Sequence, residues 1–174
     1  MTRLQLFLVS VAFGFAVLLL GAPVESAQNL FAKPQTVTLV ARRQREGFDN
    51  YTRAAFSFKY GANGDSALKI VRNNWDVLFG NSPDADTFDV TMVTDDCSRI
   101  KDLGKLDWTE IVNVPVLPAY TAPTREPSVQ AVVGHIYEVH VKDRDNNHYA
   151  LFRVESLAPR ESVTISWKLA PSPE

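Results

Sequence analysis

The chain of 174 residues holds one cysteine, Cys97. A single thiol cannot close an internal disulfide, so the fold must rest on its core rather than on covalent staples. Asp95 and Asp96 precede Cys97, and neighbouring negative charge disfavours a thiolate. Cys97 is therefore expected to be an inert thiol. Strong charge of either sign is also missing. Eighteen Lys and Arg stand against twenty Asp and Glu, a formal net charge of −2, which gives no global field for nucleic acid, and no nucleic-acid partner is expected. There is no Gly-x-Ser-x-Gly elbow, no phosphate-cradling glycine loop and no dinucleotide fingerprint, which leaves no catalytic residue to assign. Triads assemble in space, so a secreted enzyme without a recognisable motif stays open as a third reading.

Charge is lacking in one further place. From Leu4 to Leu20 there is none, and Arg3 precedes this apolar run. Gly21, Ala22, Pro23, Val24, Glu25, Ser26 and Ala27 follow. Basic, then apolar, then small and helix-breaking is the order of a secretory signal peptide. Residues 1–27 are read as that signal, with cleavage after Ser26 fitting small-residue pockets better than cleavage after Ala27. The rival reading is a retained anchor, since Leu4 to Val24 is about long enough to span a bilayer. The expected location is secreted, periplasmic or cell-surface, with membrane contact only if this segment is kept.

Residues 28–174 suit one domain, large enough to fold on its own core. Short alternating runs of β-branched and aromatic residues, separated by turn residues, predict an all-β, antiparallel, sandwich-like domain with a C-terminal β-meander. Expected strands are Thr36 to Ala41, Ala55 to Tyr60 with Phe56 and Phe58 on one face, Leu68 to Val71, Trp75 to Phe79, Phe88 to Thr94 and Ile111 to Leu117. A helix near Leu106 to Val112 is a further expectation. Pro118 to Ser128, dense in proline, reads as an extended crossover.

The meander is the most legible part. Gln130 to Lys142 and His148 to Leu157 pair as a hairpin, and Val163 to Leu169 follows as a third strand. A four-residue loop, Asp143 to Asn146, places Lys142 opposite Asn147. Tyr137, Val139 and Val141 then share a face with His148, Ala150, Phe152 and Val154. A five-residue loop would instead set Glu138 against Phe152. The other face carries Ile136, Glu138, His140 and Lys142 opposite Arg153, Leu151, Tyr149 and Asn147. It is expected to be solvated, which makes His140 and Tyr149 candidates for a ligand-binding face.

Metal sites find little support. His135 and His148 fall at opposite ends of one hairpin face and His140 on the other, so one hairpin cannot gather a zinc tetrahedron. Asp143, Asp145 and Asn147 match the opening of a calcium loop. The match ends at His148, where glycine belongs, and at Val154, where a bidentate glutamate belongs. Asp84, Asp86, Asp89, Asp95 and Asp96 read as solvated loop acids, with calcium as the alternative. Arg42, Arg43 and Arg45 read as a solvated edge, with an anionic-partner patch as the alternative. Trp75, Trp108 and Trp167 are expected in packing, with stacking on sugars or a planar ligand as the alternative. Asn50-Tyr51-Thr52 matches a glycosylation acceptor in a eukaryotic secretory pathway.

Two segment pairs carry a resemblance. Ala55-Phe56-Ser57-Phe58-Lys59-Tyr60-Gly61 with Asn74-Trp75-Asp76-Val77-Leu78-Phe79 resembles the opening strand pair of bacterial HmuY-type secreted proteins. Gly134-His135-Ile136-Tyr137-Glu138-Val139 with Tyr149-Ala150-Leu151-Phe152-Arg153-Val154 is similar to a hairpin of those proteins and of uncharacterised bacterial exported domains. The resemblance implies an all-β fold and, for the best-known members, heme capture. It places no heme ligand on a position of this chain. The expected function is an exported noncatalytic binding or surface-interaction domain of unknown ligand, with heme or tetrapyrrole binding as the alternative. No cofactor follows from the residues themselves.

Overall fold

The structure is a computed structural model that describes residues 33–46, 48–63, 75–82, 84–90, 92–93, 96–111, 128–142 and 146–172. The signal segment 1–27, the expected strand Leu68 to Val71, most of Ile111 to Leu117, the crossover up to Pro127, and Asp143 to Asp145 lie outside the described residues, as does the Cys97 side chain.

The fold is all-β and sandwich-like, built on two antiparallel five-stranded sheets. The first contains β1 (Gln35–Val40), β10 (Arg99–Lys105), β12 (His135–Lys142), β13 (Asn147–Ala158) and β14 (Ser162–Ala170), in the order β1-β14-β13-β12-β10. The second contains β4 (Ala55–Ser57), β5 (Ala62–Asn63), β6 (Val77–Phe79), β7 (Thr87–Val90) and β11 (Ser128–Gln130), in the order β11-β7-β6-β4-β5. Two short pairs, β2 (Gln44–Arg45) with β3 (Phe48–Asp49) and β8 (Met92–Val93) with β9 (Asp96–Cys97), stand apart. One short helix, α1 (Tyr51–Ala54), precedes β4.

The C-terminal meander forms in the expected register. Lys142 faces Asn147, Val139 faces Ala150 and Tyr137 faces Phe152. Phe152 in turn faces Trp167 on β14. A two-residue period places Tyr137, Val139, Val141, Phe152, Val154, Ile165 and Trp167 on one side, so the pairing that buries them together wins. The turn into β14 rests on Arg160, whose φ of 57° is left-handed.

The main core lies between the sheets. From the first sheet come Leu39, Ile100, Tyr137, Val139, Val141, Phe152, Val163, Ile165 and Trp167. Phe56, Phe58, Val77, Phe79, Phe88 and Val90 answer from the second side. Phe88 meets Phe152 edge-on at 4.8 Å, and Phe58 lies 5.9 Å from the same ring. Such aromatic pairs add about 0.5–1.5 kcal/mol each beyond the area they bury. The Tyr137 hydroxyl donates to the Gln130 carbonyl and accepts from the Val132 amide, so this buried polar tip is satisfied. Burial pushes its pKa up to about 12.

Several boundaries differ from expectation. β4 ends at Ser57, and Phe58 sits in a turn, yet Phe56 and Phe58 both enter the core as the alternation predicts. The run from Phe88 is divided between β7 and β8, which belong to different sheets. Leu106 to Ile111 forms turns and irregular chain rather than a helix. β10 was not anticipated. Its sequence, RIKDLGK, offers little apolar alternation, because it is an edge strand of this sheet and carries its charges outward.

The outer face of the first sheet is the main correction. It is not solvated. Ile136, Tyr149, Leu151 and Ala170 form a second apolar cluster with Ile111, and Leu103, Leu106 and Trp108 pack against it. The chain leaving β10 thus folds back over the sheet. Trp108 Nε1 donates to Ser166 Oγ at 3.2 Å, and Lys168 Nζ lies 4.8 Å from the Trp108 ring centroid.

Candidate functional site

Four connecting segments meet at one end of the sandwich. They are the stretch after β1, the β3–α1 region, the β6–β7 loop and the β13–β14 turn. Together they enclose a cleft of about 1090 Å³. Loops gathered at one end of a rigid sandwich are where such folds place binding residues.

Main-chain bonds fix the cleft walls. Ala41 N donates to the Glu161 carbonyl at 2.8 Å, and Arg42 N to the Phe79 carbonyl at 3.0 Å. Asn50, which is buried, donates from Nδ2 to the Ala41 carbonyl and accepts at Oδ1 from Arg43 N. The Asp86 carboxylate accepts from Arg160 N, tying the β6–β7 loop to the β13–β14 turn. Gly80 adopts a φ of +65°, and a Cβ there would stand 2.7 Å from Ala41 Cβ, so backbone approach at this wall requires glycine. Such a site is preorganised, which lowers the entropy lost on binding.

Arginine dominates the polar lining. Arg42, Arg43, Arg53 and Arg160 stand against the carboxylates Asp86 and Glu161. Arg42 has a bracing role. Its Nε and Nη2 donate to both oxygens of Asp49, at 3.2 and 2.9 Å, and Nη1 donates to Asn81 Oδ1 at 2.7 Å. Hydrogen bonding to Asp49 raises the Arg42 pKa further. The Arg42 guanidinium also lies 5.1 Å from the Tyr51 ring centroid. Arg43, Arg53 and Arg160 are exposed and supply the remaining positive charge of the rim. Phe48, 47% exposed, adds an aromatic surface to the same cleft.

The sequence pointed to part of this site. Arg42 and Arg43 belong to the basic cluster, while the Arg45 side chain lies outside the described residues. Arg53 and Arg160 carried no signal in the sequence, because only the packing of distant loops brings them together.

His140 and Tyr149 lie elsewhere. They face each other across β12 and β13 on the outer side of the first sheet, near the hairpin end of β13. The cleft lies near the other end of β13, roughly 25–30 Å away by strand rise. Their rings stack at 4.2 Å with planes 7° apart. His140 Nε2 lies 2.9 Å from Asn147 Oδ1, so the Asn147 side chain serves this pair. Burial lowers the His140 pKa and raises that of Tyr149. Next to them Glu138 is 0% exposed, and neither carboxylate oxygen has a hydrogen-bond partner among the described residues. Burial raises its pKa to about 7, with Lys101 opposing the shift.

Ser57, Asp76 and His148 do meet, yet not as a nucleophile relay. Ser57 Oγ and Phe58 N both donate to Asp76 Oδ2, and His148 Nε2 approaches that same oxygen at 3.5 Å. The acid occupies the middle, so the histidine cannot take the serine proton. Ser57 and Asp76 are buried, and the group ties the two sheets together. His135 pairs with Asp102 at 3.0 Å. The three histidines therefore stand in three separate settings, and no group of three metal-binding side chains occurs among the described residues. Of the acids read as solvated, Asp89 is instead buried in β7, and Asp86 serves the cleft wall. Comparison of the chain with protein-family models, curated proteins and solved structures finds no match.

Proposed function

We propose that the protein is an exported, noncatalytic binding domain whose ligand carries negative charge and occupies the loop cleft. The observation that carries this reading is the convergence of Arg42, Arg43, Arg53 and Arg160 on one braced concavity. Guanidinium groups present fixed pairs of N–H donors that match carboxylate and phosphate oxygens. Arg42 orders the wall, and Arg43, Arg53 and Arg160 contact the ligand. Export rests on residues 1–27.

Heme or another tetrapyrrole is the second reading. Its carboxylates would suit the same arginines, and the HmuY-type resemblance supports it. Among the described residues the cleft lining includes no His, Met, Cys or Tyr to hold the iron, so binding there would rest on carboxylates and ring contact.

Amide chemical-shift mapping during titration with citrate, and separately with hemin, tests both readings. Shifts at Arg43, Arg53, Ser82 and Arg160 that vanish in the Arg43→Ala/Arg160→Ala double variant are expected. Shifts confined to the His140–Tyr149 face would move the site to the other end of the sheet. A Soret band with hemin that survives the double variant would favour tetrapyrrole binding elsewhere.

A further inference from the structure

Resting on the anion-binding reading of the cleft, we infer that its ligand is an acidic saccharide of the uronate type, with charge spaced along a hydroxylated chain. Three features of the lining converge on that chemistry. The first is size. A cleft of about 1090 Å³ lies at the upper end of small-molecule sites and holds several sugar rings rather than one inorganic anion.

The second feature is the charge balance. Asp49 already neutralises Arg42 through two hydrogen bonds, and Asp86 and Glu161 share the cleft with the other arginines. A dense polyanion would meet those carboxylates and be repelled. A chain bearing one carboxylate per ring can set its charges on Arg43 and Arg160 and its hydroxyls on the acids. Hydroxyls donate to carboxylates, which a fully anionic ligand cannot do.

The third feature is Phe48. This large apolar side chain stays 47% exposed within the cleft. The C–H face of a sugar ring is apolar, and an aromatic ring beside hydrogen-bonding groups matches it. Ser82 and Asn81 provide hydroxyl and amide groups near the same rim. An acidic peptide would use the arginines but has no equivalent need of a flat aromatic surface.

Calorimetric titration of the full mature chain tests the inference with four probes: a galacturonate hexamer, maltohexaose, a hexaglutamate peptide and inorganic phosphate. Binding of the galacturonate hexamer is expected, with no detectable binding of maltohexaose. Phe48→Ala, a change at an exposed side chain, should weaken it about tenfold. Arg43→Ala/Arg160→Ala should abolish it, with a thermal midpoint close to that of the parent. Equal affinity for hexaglutamate, or indifference to Phe48→Ala, would overturn the saccharide inference and leave the anion reading standing. Phosphate binding alone would do the same. Failure of every anion to bind would overturn both.

Discussion

The two faces of the first sheet share their strands but not their chemistry. The inner face meets a second sheet and is dry, aromatic and satisfied, down to the Tyr137 hydroxyl. Among the described residues, the outer face is covered by the stretch from Leu103 to Ile111 and holds ionisable groups beneath it. Glu138 is buried there with no hydrogen-bond partner among the described residues. Lys168 is buried under Trp108, and desolvation lowers its pKa. One strand can thus serve a permanent core on one side and a costly, titratable layer on the other. A buried acid without partners stays tolerable only because it can take up a proton.

Three changes test that contrast, and the largest effect belongs to the inner face. Phe152 is fully buried and touches rings from both sheets. Phe152→Ala should cost about 3–5 kcal/mol in chemical denaturation. A loss under about 1 kcal/mol would mean that the sheets are not sealed together at this ring.

The second change addresses the outer face through pH. Glu138 titrates near 4.5 when exposed and near 7 in the fold. Below pH 4.5 it is protonated in both states and costs nothing. As pH rises from 4.5 to 7 the unfolded chain releases the proton first, so stability falls. The loss reaches about 3 kcal/mol above pH 7. Arg99 and Lys101 from β10, and Lys168 from β14, share this face, and Lys101 opposes the shift. Glu138→Gln should match the parent at pH 4 and exceed it in stability at pH 8. Parallel stability curves for the two proteins across this range would remove the distinction between the faces.

The smallest effect is expected at His140. A solvated outer face predicts almost none. Its stack on Tyr149 and its bond to Asn147 raise the expected cost of His140→Ala to about 1 kcal/mol. A change within measurement error would show that this end of the outer face behaves as open surface.

The meander was legible because its signals are local. Val139, Val141 and Ile165 alternate with polar neighbours, and a short loop leaves few registers that bury them together with Phe152. Phe56, Phe58 and Phe88 declared themselves as core for the same reason. β10 did not, since Arg99, Lys101, Asp102 and Lys105 mask its two apolar residues, Ile100 and Leu103. The outer-face cluster was missed as a direct consequence, because its cover is the chain that continues from β10. Ile136 and Leu151 on the supposedly wet side were the available sign.

The candidate site shows the same division more sharply. Arg42 and Arg43 stand together in sequence, and their shared charge could be read there. Their convergence with Arg53 and Arg160 depends on where β1, α1 and the β13–β14 turn come to rest. The amino-acid pattern by itself determined the all-β class, the facing of each C-terminal strand and the hairpin register, because a two-residue period and short turns act between near neighbours. Tertiary structure alone decided that Glu138 is buried and that four arginines share a cleft. Both depend on contacts between segments far apart in the chain, and no local periodicity encodes which distant loop will arrive.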